Sequence, residues 1–231
     1  MCSGISFPVP WYLIPLNALY FTLQVVYGIV DTRTRTLKAH VKKGLGVDLL
    51  TMANLMTFPP EDLKILVAHR PETDFPLVLP PYLTPCGPIV PPVSPVAEVD
   101  PELSEWLKGG PVVFISLGTI KWMMEDEALE LAGALRKLLD AAEERGVTGS
   151  GSTSGKLKVL WKLKQHPQDP NSRFSVGPGS KIHALLGKEL DEDRVRIIDW
   201  IKPQPTAVLQ TGAVVVSVNH GGANSYNDAI M

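Results

Sequence analysis

VVFISLG, residues 112–118, is a continuous apolar run broken only by Ser116 and closed by a glycine. A strand with one wet face would alternate apolar and polar side chains. An unbroken run is what a parallel strand covered on both faces requires. A helix follows it: in EDEALELAGALRKLLDAAEERG, residues 125–146, Ala128, Leu131, Ala132, Leu135, Leu138, Leu139 and Ala142 recur at helical spacing. Acids crowd its first turn and Arg145-Gly146 closes it, as the helix dipole and the left-handed cap favour. The connector GVTGSGSTSG (146–155) leads to a second strand, KLKVLWKL. A third, VRIID (195–199), precedes Trp200, and a short helix around residues 206–210 precedes a fourth, AVVVSV (213–218). Strands separated by helices predict an α/β fold, a doubly wound sheet with right-handed crossovers.

Toward the amino terminus the composition changes twice. Residues 76–101, PLVLPPYLTPCGPIVPPVSPVAEVDP, are dense in proline, which removes backbone donors and disfavours helix; they read as a stiff, extended connector. Residues 1–75 read as mostly helical, with an apolar run, a basic helix around 32–43 and a Leu/Met-rich part ending at Phe58-Pro59-Pro60. Three regions are therefore expected: 1–75, a connector over 76–108, and an α/β domain from 109 to 231.

No charged side chain occurs in residues 1–30, and 11–30 is about the length that crosses a bilayer. Pro15, Asn17, Gln24 and several tyrosines lower its transfer free energy, so a buried or interfacial helix is expected ahead of a membrane span. No basic leader region with a small-residue cleavage site is present, which argues against a signal peptide. The 231 residues are 45% hydrophobic and 20% charged with a net charge of −2, the profile of a globular protein rather than a nucleic-acid binder. Arg33, Arg35, Lys38, Lys42 and Lys43 cluster, which on a helix reads as a solvated face. Two cysteines make no disulfide framework and no Asn-x-Ser/Thr acceptor occurs, so a cytoplasmic setting is expected, with membrane association as the alternative.

Ligands of doubly wound sheets sit beyond the carboxyl ends of the strands. There the chain places Gly118-Thr119, then Asp199-Trp200, then Asn219-His220-Gly221-Gly222-Ala223-Asn224-Ser225. In the last group two glycines permit close backbone approach, and the helix start offers unpaired N–H groups with a positive dipole end; Asn224 and Ser225 add donors. This combination suits a phosphate or diphosphate, with His220 as a further donor; taken alone, that histidine reads as the partner of a buried carbonyl. The same residues also suit a tight strand-to-helix turn capped by Asn or Ser, and spacing alone does not separate the two. Thr119 alone reads as a helix cap, Trp200 as a core or rim residue, and Gln204 as a solvated amide.

The order of these residues is more specific than any one of them. DWIKPQPTAVLQTGAVVVSVNHGGANSYNDAI, residues 199–230, resembles the donor-binding signature of the UDP-dependent family 1 glycosyltransferases, the fungal sterol-like and lipid-like members in particular. CGPIVPP, ELSEWLKGG and VVFISLGT resemble that family's interdomain linker and the opening of its carboxyl-terminal domain. The resemblance covers residue 75 to the end, and SGISFPVPWYLIPLN is more loosely similar to the later part of the acceptor-binding domain. It implies a GT-B fold: 1–75 as the end of a Rossmann-like acceptor domain, and 109–231 as the first part of the Rossmann-like UDP-sugar domain. It implies that Trp200 stacks on uracil, Gln204 contacts base or ribose, and His220, Gly222, Asn224 and Ser225 hold the diphosphate with Thr119. Asp228 would bind ribose hydroxyls.

Two departures stand out. Trp200 and Gln204 are separated by Ile-Lys-Pro, wider than the family's spacing, and Asp228 replaces the glutamate usual in plant and animal relatives. The resemblance also implies inverting hexosyl transfer to a lipophilic hydroxyl, with a histidine early in the acceptor domain as general base. Neither His40 nor His69 lies where that base belongs, and no catalytic residue is assigned. Segments expected before the first residue and after the signature, the sugar-gripping acid-Gln pair among them, have no counterpart, so the chain reads as truncated at both ends and inactive alone. No metal or cofactor is expected, only UDP-sugar as donor substrate. The alternative reading is a non-catalytic nucleotide-binding or interaction protein derived from that family. A dinucleotide-binding domain is disfavoured by the lack of Gly-x-Gly-x-x-Gly after the first strand.

Overall fold

A computed structural model describes residues 9–51, 61–68, 79, 81–90, 92–148, 155–165 and 173–230. Residues 52–60 of the Leu/Met-rich part, 76–78 of the connector and 149–154 of the glycine-serine stretch lie outside them, as do His69 and Met231. The chain divides into two compact units, Met1–Val67 with Pro71–Cys86, and Ala68–Arg70 with Gly87–Met231.

The first unit holds α1 (Ile14–Val30) and α2 (Thr32–Leu45), preceded by a 3-10 turn at Trp11–Leu13. Asp31 separates the helices and caps the second, its carboxylate accepting from the Arg33 and Thr34 amides at 3.2 and 3.1 Å. Gly46, left-handed at φ 70°, closes α2. Of the two placements expected for this segment, buried or interfacial, burial is not seen: Trp11, Leu19, Phe21, Leu23 and Tyr27 are exposed. Among the described residues no single helix is long and apolar enough to cross a membrane; Trp11–Gly28 and Thr32–Leu45 reach that criterion only as a pair bent by 43°. The unit also contains two short parallel strands that propensity alone does not reveal, β1 (Ile65–Val67) and β2 (Leu83–Pro85). The second lies within the proline-rich segment, with Pro85 at its end.

The second unit opens with α3 (Val96–Val99) and α4 (Pro101–Lys108). Proline at the first helical position and Asp100 as cap, accepting from Leu103 N at 3.1 Å, start α4 inside the region expected to be extended. Then come β3 (Val112–Ser116), α5 (Glu125–Glu144), β4 (Lys158–Lys162), α6 (Lys181–Asp191), β5 (Val195–Ile198), α7 (Pro205–Leu209), β6 (Val214–Asn219) and α8 (Ala223–Ile230). The four strands are parallel in the order β5-β4-β3-β6. Numbered from β3, this is the 3-2-1-4 order of a Rossmann sheet, with its direction switching between β3 and β6.

Alternate side chains of each strand enter opposite layers. Val113, Ile115, Val159, Trp161 and Val195 pack under α5 and α6 against Ala128, Ala132, Leu135, Leu139, Ile182 and Leu186. Val112, Phe114 and Leu160 face α4 and α7 through Leu103, Trp106, Leu107, Ala207 and Val208. Each fully buried Val, Leu or Phe side chain contributes roughly 1.5–3 kcal/mol. The two helices on the first face are pinned by Arg136, whose guanidinium donates to the fully buried Glu189 and to Asp140. Trp106 ties α4 to the sheet, its Nε1 donating to the Asp193 carbonyl at 2.7 Å, while Lys158 donates to the Trp106 carbonyl at 2.7 Å.

The β6 edge differs from the rest. Val215, Val216 and Val218 are exposed and, with Leu131 and Leu138 of α5, line an open apolar groove of about 460 Å³.

Candidate functional site at the switch point

Residues from four strand ends converge on the carboxyl edge of the sheet. Ser116 pairs in register with Asn219, so the turns leaving β3 and β6 start side by side. Gly118 is left-handed at φ 82°, and a Cβ built on it would lie 2.8 Å from His220 Cε1. A Cβ on Gly222 would lie 2.4 Å from His220 Nε2. The imidazole therefore occupies the space that a side chain at either position would need. Asn219 shapes the turn, its Oδ1 accepting from Gly221 N at 2.9 Å, and Gly221 is left-handed at φ 71°.

The Gly222 carbonyl accepts from Tyr226 N at 2.9 Å, which makes Gly222 the residue from which α8 starts. Asn224 and Ser225 sit in the first turn of α8, where backbone N–H groups point out of the helix end. Asp228 lies one turn on, and its Oδ1 accepts from Thr206 Oγ1 of α7 at 3.1 Å, joining α8 to α7. That hydrogen bond occupies one oxygen of the carboxylate expected to meet a ribose. Gln204 is exposed and precedes α7, making no side-chain cap bond there.

Two lysines that sequence reasoning passed over complete the edge, both from the end of β4. Lys164 Nζ donates to the Thr119 carbonyl at 2.5 Å and so braces the β3 turn. Lys162 is buried, and its Nζ lies 4.5 Å from the centroid of the Trp200 ring, which is itself 59% exposed. Burial first, and the charge of Lys164 second, holds the Lys162 ammonium below the ordinary lysine range. The only sequence sign of either was polar Lys162 ending a strand otherwise apolar from Val159, a position that faces the ligand side in this class of sheet.

The sites run in a row: Trp200 beyond β5, Lys162 and Lys164 beyond β4, Gly118 and Thr119 beyond β3, His220 to Ser225 beyond β6. Three strand spacings separate the ends of that row, about 14 Å. A planar aromatic stands at one end and a glycine turn with a helix start at the other. Among the described residues no group of three His, Cys, Asp or Glu side chains is placed to hold a metal ion.

These features define a Rossmann-like α/β unit with an open, glycine-lined turn at its switch point. Comparison with known proteins narrows the class. The chain is 31% identical over 231 residues to glycosyltransferase sdnJ of Sordaria araneosa, a match that spans 98% of this chain and 41% of that protein. The chain is thus a homologue of a glycosyltransferase along nearly its whole length, in keeping with the glycosyltransferase resemblance read from residue 75 onward. It spans less than half the length of that relative. No family model matches the chain. Among solved structures, it is similar to apo UGT2 of Phytolacca americana, at 23% identity and a TM-score of 0.41, over 65% of this chain and 30% of that one. It is also similar to a ugt transferase of Siraitia grosvenorii in complex with UDP, at 22% identity and a TM-score of 0.42, over 64% of this chain and 30% of that one.

Proposed function

We propose that residues 109–231 bind the nucleotide of a UDP-sugar, and that the activity to which this site belongs is hexosyl transfer from that donor to a lipophilic hydroxyl. The observation that supports the reading is the His220 imidazole fitted between Gly118 and Gly222 at the crossing point of the sheet. Buried neither by a core nor by a salt bridge, the ring and the N–H groups opening α8 stand together where a diphosphate would rest. Trp200 supplies a flat surface for uracil, with Gln204 four residues on for base or ribose and Asp228 for the ribose hydroxyls. Asn224, Ser225 and Thr119 complete the diphosphate contacts. In transfer, the leaving diphosphate gains charge, and donors already aimed at it stabilise that charge without reorganisation.

Nucleotide binding and turnover are separate claims for a chain of this span. We assign the first to residues 109–231 and expect no transfer by the 231-residue chain alone. Isothermal titration with UDP tests it, beside hydrolysis and transfer assays with UDP-glucose. Saturable UDP binding that His220→Ala weakens about 10- to 100-fold, the value of a charged hydrogen bond, supports the reading. A chain that binds no UDP refutes it, and turnover by the chain alone refutes the expectation of inactivity.

A further inference from the structure

Lys162 is the unexplained side chain of this site. Most of the Lys162 side chain is buried, and a lysine ammonium carried on such a stem ordinarily sits on a carboxylate or a carbonyl, as Lys158 does on the Trp106 carbonyl. Lys162 has neither among the described residues; its ammonium faces the Trp200 ring at 4.5 Å. The indole in turn is exposed, standing on a loop between β5 and α7 where no hydrogen bond of its Nε1 is found among the described residues. An exposed indole on a loop has rotamer freedom that a stacking ligand must remove, at a cost in affinity. A cation carried on a largely buried side chain at the end of β4 reduces that freedom in advance, because the ring is attracted face-on by its quadrupole. One face of the ring is then occupied and the opposite face is left for a ligand.

We propose that Lys162 is a positioning residue that sets the plane of Trp200 as a base-stacking platform, and so governs affinity for the nucleobase part of the donor rather than for its phosphates. This rests on the nucleotide reading above. The charge, not the stem, does the positioning, so arginine serves and methionine does not.

The test compares the full chain with Lys162→Met and Lys162→Arg, titrated separately with UDP and with inorganic diphosphate, and with circular dichroism as a check on folding. The expected result is that K162M weakens UDP about three- to tenfold, the range of a partly desolvated cation–π contact, and leaves diphosphate affinity within twofold. K162R restores UDP binding. Equal losses for UDP and diphosphate would make Lys162 a phosphate contact and overturn the proposal, as would unchanged UDP affinity. Acrylamide quenching of Trp200, taken as the difference between each protein and its Trp200→Phe counterpart, requires no nucleotide. Faster quenching in K162M supports the platform, and identical quenching overturns it even if the chain binds no UDP, the outcome that sinks the nucleotide reading instead. A K162M chain that fails to fold is replaced by Lys162→Gln, judged by the same ratios.

Discussion

Gly222→Ala offers a test in which binding and stability part company. The Gly222 backbone lies outside the left-handed region, so alanine meets no conformational penalty there. Its methyl, however, would lie 2.4 Å from His220 Nε2, 2.8 Å from Cε1 and 3.3 Å from Cδ2. Non-bonded carbon and nitrogen settle at roughly 3.5 Å or more, so the ring must retreat by about 1 Å. The ring already fills the space beside Gly118, 2.8 Å from where a Cβ there would stand, so the imidazole has to swing out toward solvent. A hydrogen bond from that ring to a diphosphate is worth about 1.5–3 kcal/mol, so UDP affinity should fall about 10- to 100-fold. Folding stability should drop by no more than about 1 kcal/mol, the difference between glycine and alanine at a helix start. Gly221→Ala is the counterpart: it meets no atom within 4 Å but forces φ 71° on a side chain, costing about 1–2 kcal/mol of stability. Titration calorimetry and urea unfolding measure both quantities. In a His220→Ala background the Gly222 methyl has nothing left to displace, so its effect on binding should vanish. Wild-type UDP affinity in Gly222→Ala, or an undiminished effect in the double variant, would refute the idea that the glycines are sized to the ring.

Three further outcomes follow from the packing. Arg136→Ala strands the fully buried Glu189 carboxylate between α5 and α6 and should cost about 3–5 kcal/mol in urea unfolding, whereas Glu189→Gln paired with Arg136→Met should recover much of it. Arg194, donating to Glu143, pulls the Glu143 carboxyl from 4.5 down to about 2, with Lys156 and Lys188 assisting. A carboxyl depressed in the folded state stabilises it above its unfolded value and loses that contribution as pH falls from about 4.5 through about 2, so Glu143→Gln should flatten the decline in melting temperature over that window. Val215→Lys on the exposed edge of β6 should leave the melting temperature within a few degrees and raise the concentration at which light scattering appears, because a charge blocks edge-to-edge pairing.

How much of this was legible beforehand depended on whether the information was local. The four strands of the second unit and the long α5 were readable because burial on both faces forces continuous apolar runs, and one-sided burial forces helical spacing. The 11-residue α6 was not singled out: Gly187 and His183 interrupt an otherwise modest pattern, and its apolar face of Ile182 and Leu186 acquires meaning only against α5 and β4. Strands β1 and β2 escaped notice because each is three residues long and stabilised by the other across intervening sequence. α4 arose in a stretch that looked too rich in proline, since Pro101 stands where a helix has no use for an N–H.

The site shows the same division. Glycines, a histidine and a helix start at adjacent positions are visible in a linear chain, and so are the identity and order of Trp200, Gln204, His220, Asn224, Ser225 and Asp228. By itself, then, the sequence determined the class of fold, the kinship with glycosyltransferases and the tight glycine turn from strand to helix after β6. Tertiary structure alone decided that Gly118 and Gly222, far apart along the chain, leave room for one imidazole. It alone put Thr206 on Asp228, and a buried lysine beneath Trp200. The reason is physical: local pattern is dictated by which face of an element must avoid water, whereas the fit between side chains depends on parallel pairing that brings strand ends distant in sequence within a few ångströms of one another.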